Sequence, residues 1–597
     1  MKKLEYPFDS EWILKKKIKI RKELIGNNTI NFITKKIAIL GGSTTSEIKN
    51  ILELFLLNFG IMPSFYESEY NMFYEDGMFD NPELVEFCPD IIYIHTSNRN
   101  ITNWPKVVDD SSVIDNKLDA EFNRFSELWN HLFEKYSCQI IQNNFELPFY
   151  RLLGNQDVCL FQGKVNFTNR LNDKFYEYAR THENFYIHDI NYESAAYGLE
   201  KWANPYYWHL YKYAMCVPAI PTTAYGIALI IKSILGKNKK VLALDLDNTL
   251  WGGVIGDDGV ENIEIGQETS IGQSYSEFQK YIKEQQDIGT LLTVISKNNE
   301  DVAKQGFERP DSILKMSDFV SFKANWNTKD RNLVEEADEL TLLPEAFVFV
   351  DDNPAEREIV RNSIPSVSIP EIGNVESYIQ TIDRAGYFEV TKLSKDDLKR
   401  NEMYKANSQR NLALAQFTDY GDYLLSLRMK AEILPFEAIY MARIAQLSNK
   451  SNQFNLTTRR YTQSEIESIA GSDNYITLYG KLEDKFGDNG VVSIIIGQVK
   501  EVEVHIDLWL MSCRVLKRDM EFAMMDELVN LCKNRNISRI RGYYYPTQKN
   551  SMVKDFYSIQ GFEKVSEEPN GNTEWIFNIE DNYITKNKYI NVNSKGE

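Results

Sequence analysis

The stretch VLALDLDNTLWGGVIGDDG, residues 241–259, decides how the middle of this chain is read. Val241–Leu244 is an unbroken apolar run of the kind buried on both faces of a parallel sheet. Asp245 and Asp247 follow two residues apart, so at the strand tip their carboxylates project to the same side, beside a turn rich in Asn and Gly. Two carboxylates at a strand mouth invite a cation.

Outward from this strand, the apolar runs TLLTVIS (290–296) and AFVFVDD (346–352) are separated by helical segments such as SYSEFQKYIKEQQDIG, the pattern of right-handed βαβ crossovers. Residues 36–225 alternate in the same way, with strand-like KIAIL, DIIYIH, CQIIQNNF and FYIHDI between amphipathic segments. Residues 394–428 carry helix-favouring residues behind a Ser cap and read as a helical connector. From about 430 the pattern changes to YITLYGKLE, GVVSIIIGQV and EVHIDLWLMS, then the helix RDMEFAMMDELVNLCKNR and the strand RIRGYYY, an α+β module. The expectation is a multidomain α/β chain divided at 1–235, 236–388, 389–430 and 431–585.

With 597 residues the chain is too long for one core, and 43% hydrophobic with 26% charged residues is a globular composition. A net charge of −19 without a basic arm argues against nucleic acid as a partner. Lysines interrupt the N-terminal MKKLEYPFDSEWILKKKIKIRKEL, so no signal peptide is expected. The longest apolar stretch, Ile227–Leu235, is cut by Lys232 and reads as too short for a bilayer. Cys88, Cys138, Cys159, Cys216, Cys513 and Cys532 show no CxxC or zinc spacing, as in a reducing compartment. A cytoplasmic protein without a membrane partner is expected.

Downstream of the aspartates, in order and each at a strand tip or adjoining loop, come Ser296 in VISKN, Lys329 in NWNTKDRNL and Asp351-Asp352 in FVFVDDNPAERE. This order resembles the four motifs of the haloacid-dehalogenase-like (HAD) superfamily. The chemistry needs these residue types, because an anionic carboxylate attacks a phosphoryl group only where a cation and a lysine offset the charge. The resemblance implies Asp245 as nucleophile and Asp247 as acid and then base. It gives Ser296 and Lys329 the phosphoryl oxygens, and Mg²⁺ is held by Asp245, the Asp247 carbonyl and Asp351 or Asp352. Asn248, Thr249 and Asn298, beside the motif residues, are candidate substrate-binding groups. Only about fifty residues separate Asp245 and Asp247 from Ser296, which leaves little room for a cap domain.

Trp251-Gly252-Gly253 makes DLDNTLWGGVIGDDG more particular than the superfamily motif. It resembles the FkbH-like family, capless HAD phosphatases of the IIIC type, as do RIAQLSNKSNQFNLTTRRY (443–461), LEDKFGDNGVVS (482–493), SCRVLKRD (512–519) and YYPTQKNSMVKDFYSIQGFE (544–563). The resemblance implies transfer of a glyceryl unit from 1,3-bisphosphoglycerate to a phosphopantetheinylated acyl carrier protein, as in polyketide-type pathways. It also implies a C-terminal acyltransferase domain like the GCN5-related N-acetyltransferases (GNAT). There a splayed strand and the next helix N-terminus hold pantetheine and its phosphate, with Asn550 and Tyr557 near the thioester.

Cys513, beside Arg514, Lys517 and Arg518, is the proposed acyl acceptor, with its thiol toward the pantetheine tunnel and its pKa lowered by these cations. His505 is a candidate base. Where the family's loop reads RVLGRG, this chain has Lys517 and Asp519, which hinder close approach of a pyrophosphate and disfavour free coenzyme A. Arg459, Arg460, Arg514, Lys517 and Arg518 are expected to form a basic patch for an acidic carrier.

KKIAILGGSTTSEI places Gly41-Gly42-Ser43 between a strand and a helix start and resembles the first block of SGNH-type hydrolases, with HTSNRN (95–100) as a later block. The final Asp-x-x-His is not evident, since YYWH (206–209) has Tyr206 where the acid that orients His209 belongs. A degenerate SGNH-hydrolase-like domain is expected, with Ser43 a helix cap at most. Two other readings stand beside the glyceryl one: a phosphatase and acyltransferase acting on another phosphorylated acid or a glycan precursor, and a non-catalytic scaffold for a carrier protein.

Overall fold

Each apolar run read as a strand in residues 36–225 enters one parallel sheet. The computed structural model describes residues 1–26, 32–136, 138–451, 453–547 and 549–593 and divides into two units, Met1–Ile234 and Leu235–Glu597. In the first unit, β1 (Ile33–Gly41), β2 (Ile61–Glu67), β3 (Ile91–His95), β4 (Gln139–Asn143) and β5 (Phe185–His188) pair in the order β2-β1-β3-β4-β5. Strand β2, IMPSFYE, escaped the pattern reading because of Pro63. It lies at the sheet edge, where a missing N–H breaks no ladder.

The chain turns one way from β1 to β2 and the other way from β3 onward, which opens a crevice at the carboxyl ends of β1 and β3. One sheet face is closed by an aromatic core in which the rings of Trp129 and Phe175 lie 4.7 Å apart. Contrary to the sequence reading, the stretch Val217–Ile234 is long and apolar enough to cross a membrane, with mean hydropathy 1.4. Two-thirds of it is buried inside the protein, and Tyr225 packs 5.0 Å from Phe55 of the helix Ser46–Asn58.

The second unit begins with β6 (Val241–Leu244), β7 (Leu291–Ser296), β8 (Ser321–Ala324) and β9 (Phe347–Val350), a parallel sheet in the order β8-β7-β6-β9. Leu244 is in register with Val294 and Val350, so β6 and β9 end together and β7 runs two residues further. Between β7 and β8 lie a helix, Glu300–Glu308, and a short turn, with no inserted cap domain among the described residues. Helices Lys395–Leu398, Arg400–Leu414 and Tyr420–Ser426 then lead into a larger sheet.

That sheet contains β10 (Met429–Leu434), β11 (Phe454–Asn455), β12 (Tyr475–Asp484), β13 (Gly487–Lys500), β14 (Glu503–Met511), β15 (Arg539–Tyr544), β16 (Glu563–Glu567), β17 (Thr573–Asn578) and β18 (Ile590–Asn593). The order is β16-β17-β15-β14-β13-β12-β10-β18, with β14 and β15 parallel at its centre and the helix Met520–Asn534 crossing between them. This is the α+β module expected from residue 430 onward. Strands β14 and β15 pair only where Glu503–His505 meet Arg539–Arg541, and then diverge.

Candidate functional site

The aligned tips of β6, β7 and β9 bring the motif residues together. The Asp245 N–H donates to the Val350 carbonyl at 3.0 Å, which carries the sheet register one residue past the strand and fixes Asp245 beside Asp351. One carboxylate oxygen from each of Asp245, Asp351 and Asp352 lies within 4.8 Å of the others. Lys329, at the start of the helix Lys329–Glu339, reaches in to place Nζ 3.0 Å from Asp245 and 2.5 Å from Asp351.

Three carboxylates therefore face one ammonium. Burial, and next the Asp245 charge, push Asp351 up to about 6 against the pull of Lys329. Burial and Asp245 raise Asp352 as well. Burial draws Lys329 down, but Asp245 and Asp351 outweigh it and hold it above the usual lysine range. Ser296 is buried at the end of β7, and its hydroxyl makes no hydrogen bond among the described residues.

Asp247 is held on both oxygens. Its Oδ1 accepts from Trp251 Nε1 and the Ile255 N–H, each at 3.0 Å, and its Oδ2 accepts from Asn298 Nδ2 at 3.0 Å. Burial raises its pKa against these donors. Asn298 thus orients Asp247. Asn248, at φ 53°, accepts the Gly253 N–H on its side chain, and Thr249 accepts the Asp352 N–H, so these two shape the loop.

The C-terminal module departs from the expected thioester site at three points. First, the opening between β14 and β15 is filled: β11 pairs with Leu510 and Met511 of β14, while Leu456 accepts from the Tyr545 N–H at 2.9 Å. Asn550 clamps this segment, donating to the carbonyls of Asn455 at 2.9 Å and Tyr545 at 3.0 Å, and Tyr557 spends its hydroxyl on the Tyr543 N–H.

Second, the helix Met520–Asn534 opens on Asp519 and Glu521, carboxylates raised chiefly by burial, Glu521 to about 7. They sit where a phosphate would be held. Lys517 and Asp519 keep the glycine-type backbone, at φ 63° and 61°.

Third, Cys513 does not face a tunnel beside β15. Its turn, Cys513–Val515, leaves β14 toward the β6–β9 sheet, where the thiol packs on that sheet's core and lies 3.7 Å from the Tyr404 hydroxyl. Nor is there a five-residue basic surface. Arg518 is buried against Asp484 at 3.0 Å, Arg514 pairs with Asp396 at 3.4 Å, Arg459 pairs with Asp507 at 2.7 Å, and Arg460 bonds the Asn449 carbonyl. Lys517 and Arg459 are the exposed members, and Arg459 is held by its ion pair. His505 bonds the Tyr543 hydroxyl at 2.7 Å and is drawn down by burial.

In the first unit, Ser43 lies at the β1–β3 crevice, where the Gly42 N–H donates to the His95 carbonyl at 2.7 Å and Asn100 Nδ2 donates to the Gly42 carbonyl at 2.9 Å. Ser43 is not a cap: its buried hydroxyl has no partner among the described residues, and the N-cap of the following helix is Thr45. His209 is exposed on the helix Pro205–Tyr211.

Residues 36–232 match the family model "FkbH, N-terminal domain". That part of the chain is similar to the N-terminal domain of FkbH. Over 63% of its length the whole chain is similar, at 29% identity and a TM-score of 0.58, to 99% of a solved chain, the N-terminal part of the protein BF1531 from Bacteroides fragilis, containing a phosphatase domain complexed with Mg. An Ard1 structure from Thermoplasma volcanium matches 25% of the chain at 20% identity and a TM-score of 0.20, covering 99% of the Ard1 chain. No curated protein matches the sequence.

Two residues of the site at the β6–β9 strand tips carry roles that the motifs alone do not assign. Trp251, a mere marker in the sequence, is the Asp247 donor, and Gly306 makes room for its ring, which a Cβ would meet at 2.8 Å. Arg357 donates to the carbonyls of Asp351 and Asp352, each at 2.7 Å, and locks the acidic turn. Its position in NPAERE, one turn into the helix Pro354–Ser363, was the available signal.

Proposed function

We propose that this chain is a cytoplasmic phosphatase coupled to an acyltransferase, which loads the glyceryl unit of 1,3-bisphosphoglycerate onto the phosphopantetheine thiol of an acyl carrier protein. The carboxylate trio around Lys329 carries the phosphatase half. Its donor set is all oxygen with an excess of negative charge, which fits Mg²⁺. Asp245, Asp351 or Asp352, and the Asp247 carbonyl would hold the ion. When bound, it supplies positive charge against the phosphoryl oxygens.

The steps belong to the side chains. An Asp245 oxygen attacks phosphorus while Asp247 gives its proton to the departing oxygen, and the raised pKa of Asp247 favours the protonated form this needs. Ser296 donates to the phosphoryl group and Lys329 balances its charge. Asp247, now a carboxylate fixed by Trp251, Ile255 and Asn298, then takes a proton from the water that opens the aspartyl-phosphate.

Acyl transfer runs through Cys513. The filled opening between β14 and β15 favours an acyl donor other than a coenzyme A thioester. The resemblance of the chain to glyceryl-transferring FkbH-like proteins supports 1,3-bisphosphoglycerate. Intact-protein mass spectrometry tests the reading, with Mg²⁺, enzymatically generated 1,3-bisphosphoglycerate and a carrier protein. A glyceryl adduct that Cys513→Ala abolishes, and that keeps its phosphate in Asp245→Asn, is expected. No adduct on enzyme or carrier overturns the glyceryl reading.

A further inference from the structure

Cys513 sits among cations that come from separate parts of the second unit. Lys240 stands just before β6, Arg400 begins the helix Arg400–Leu414, Arg443 lies in the helix Met441–Lys450, and Arg514 follows the cysteine. Facing them are two carboxylates of one helix: Asp396, shared by Arg443 at 2.8 Å and Arg514 at 3.4 Å, and Asp397, paired with Arg400. Glu345 also acts on Lys240 but is bound to Lys549 at 2.7 Å.

Lys240 is the uncompensated charge. Its ammonium has no hydrogen bond or ion pair among the described residues, and it is pulled down by burial, with Cys513 the largest influence opposing that. Arg443 is drawn down to about 9 by burial and then by Arg514, and its Nε is buried without a partner. In a chain of net charge −19, four cations around a thiol against two carboxylates leave room for an anion.

We infer that the cation cluster around Cys513 is a phosphate site, in which Lys240 and Arg443 hold the phosphate of an acyl phosphate while the thiol takes the acyl group. This rests on the reading of Cys513 as acyl acceptor and adds its leaving-group site. The sulfur forms a bond to the acyl carbon, the carbon–oxygen bond to phosphate breaks, and the electron pair leaves on the phosphate oxygen. The thiol proton ends on the released phosphate, so no further reactant is needed.

The test is alkylation of Cys513 by iodoacetamide in the full chain, read by peptide mass spectrometry, with inorganic phosphate, acetyl phosphate or chloride at matched ionic strength. Phosphate at ten times its dissociation constant should slow alkylation about tenfold, and chloride should not. Lys240→Gln should weaken the phosphate effect about tenfold, and Lys240→Arg should restore it. Acetyl phosphate should leave an acetyl group on Cys513. Equal protection by chloride and phosphate, or undiminished protection in a folded Lys240→Gln protein, overturns the site. Phosphate protection without any glyceryl adduct keeps the site and removes the glyceryl reading, whereas a glyceryl adduct without protection does the reverse.

Discussion

Trp251 Nε1 donates to Asp247 Oδ1 at 3.0 Å, from a ring that is fully buried. A residue whose bulk belongs to the core thereby sets the proton affinity of a carboxylate at the mouth of the sheet. Trp251→Phe keeps most of the bulk and deletes the donor. Loss of one hydrogen bond to a charged group should slow phosphate release about tenfold. Because that donor lowers the Asp247 pKa, its loss raises it further, and the alkaline limb of the rate profile should move to higher pH. An unmoved limb in a pH–rate series would separate Asp247 from the acid role.

Mg²⁺ and protons compete for the acidic trio. Burial and Asp245 hold Asp351 above its unfolded pKa, at about 6, so the metal-free native state binds more protons than the unfolded one between about pH 4 and 6 and loses stability as pH rises through that window. Cation binding removes this penalty. The rise in melting temperature on adding Mg²⁺ should therefore be larger at pH 7 than at pH 5, as thermal melts with and without EDTA would show.

Lys329→Met removes the one ammonium among those carboxylates and keeps an apolar stem. Breaking a buried ion pair costs about 3–5 kcal/mol, so the metal-free variant should melt well below wild type. Mg²⁺ should recover a larger part of that loss than it adds to wild type. Phosphate release should stay at least about a hundredfold down even with the ion present, since positioned charge stabilisation is lost.

The clamp on the filled opening gives a binding prediction. Isothermal calorimetry should detect no binding of acetyl-coenzyme A to the wild-type chain. Asn550→Ala leaves the Asn455 and Tyr545 carbonyls and the Thr547 N–H without their partner and should cost about 2–3 kcal/mol in urea unfolding.

Lys517 adopts φ 63° with an exposed side chain, where glycine carries no steric cost. Lys517→Gly should raise stability by about 0.5–1 kcal/mol. Chemical denaturation of the two proteins would check the sign.

Strand tips were legible because chemistry and hydrophobic period coincide there: Asp245, Ser296 and Asp351 each terminate an apolar run, and the structure gathers them at one edge. What escaped was set by pairing across long separations. The Pro63 strand forms because it is an edge, and β11 is a two-residue strand whose partner lies more than fifty residues on. The arginines after Cys513 read as a surface patch because sequence shows charge but not its partners. Asp396 and Asp484, which engage Arg514 and Arg518, come from a different helix and a different strand. Cys513 itself was placed on the wrong side for the same reason, since the β14–β15 opening looks vacant until β11 is paired into it.

Lys240 and Cys513 lie at the amino ends of the β6–β9 sheet, whereas Asp245 emerges at its carboxyl ends, about 16 Å away along β6 alone. Under the proposed function, a three-carbon unit fixed to the sulfur would be out of reach of the aspartate, so each station could work on a different molecule at the same moment. Turnover of the whole chain then follows the slower station and the passage between them, and blocking one with an inhibitor should leave the other running.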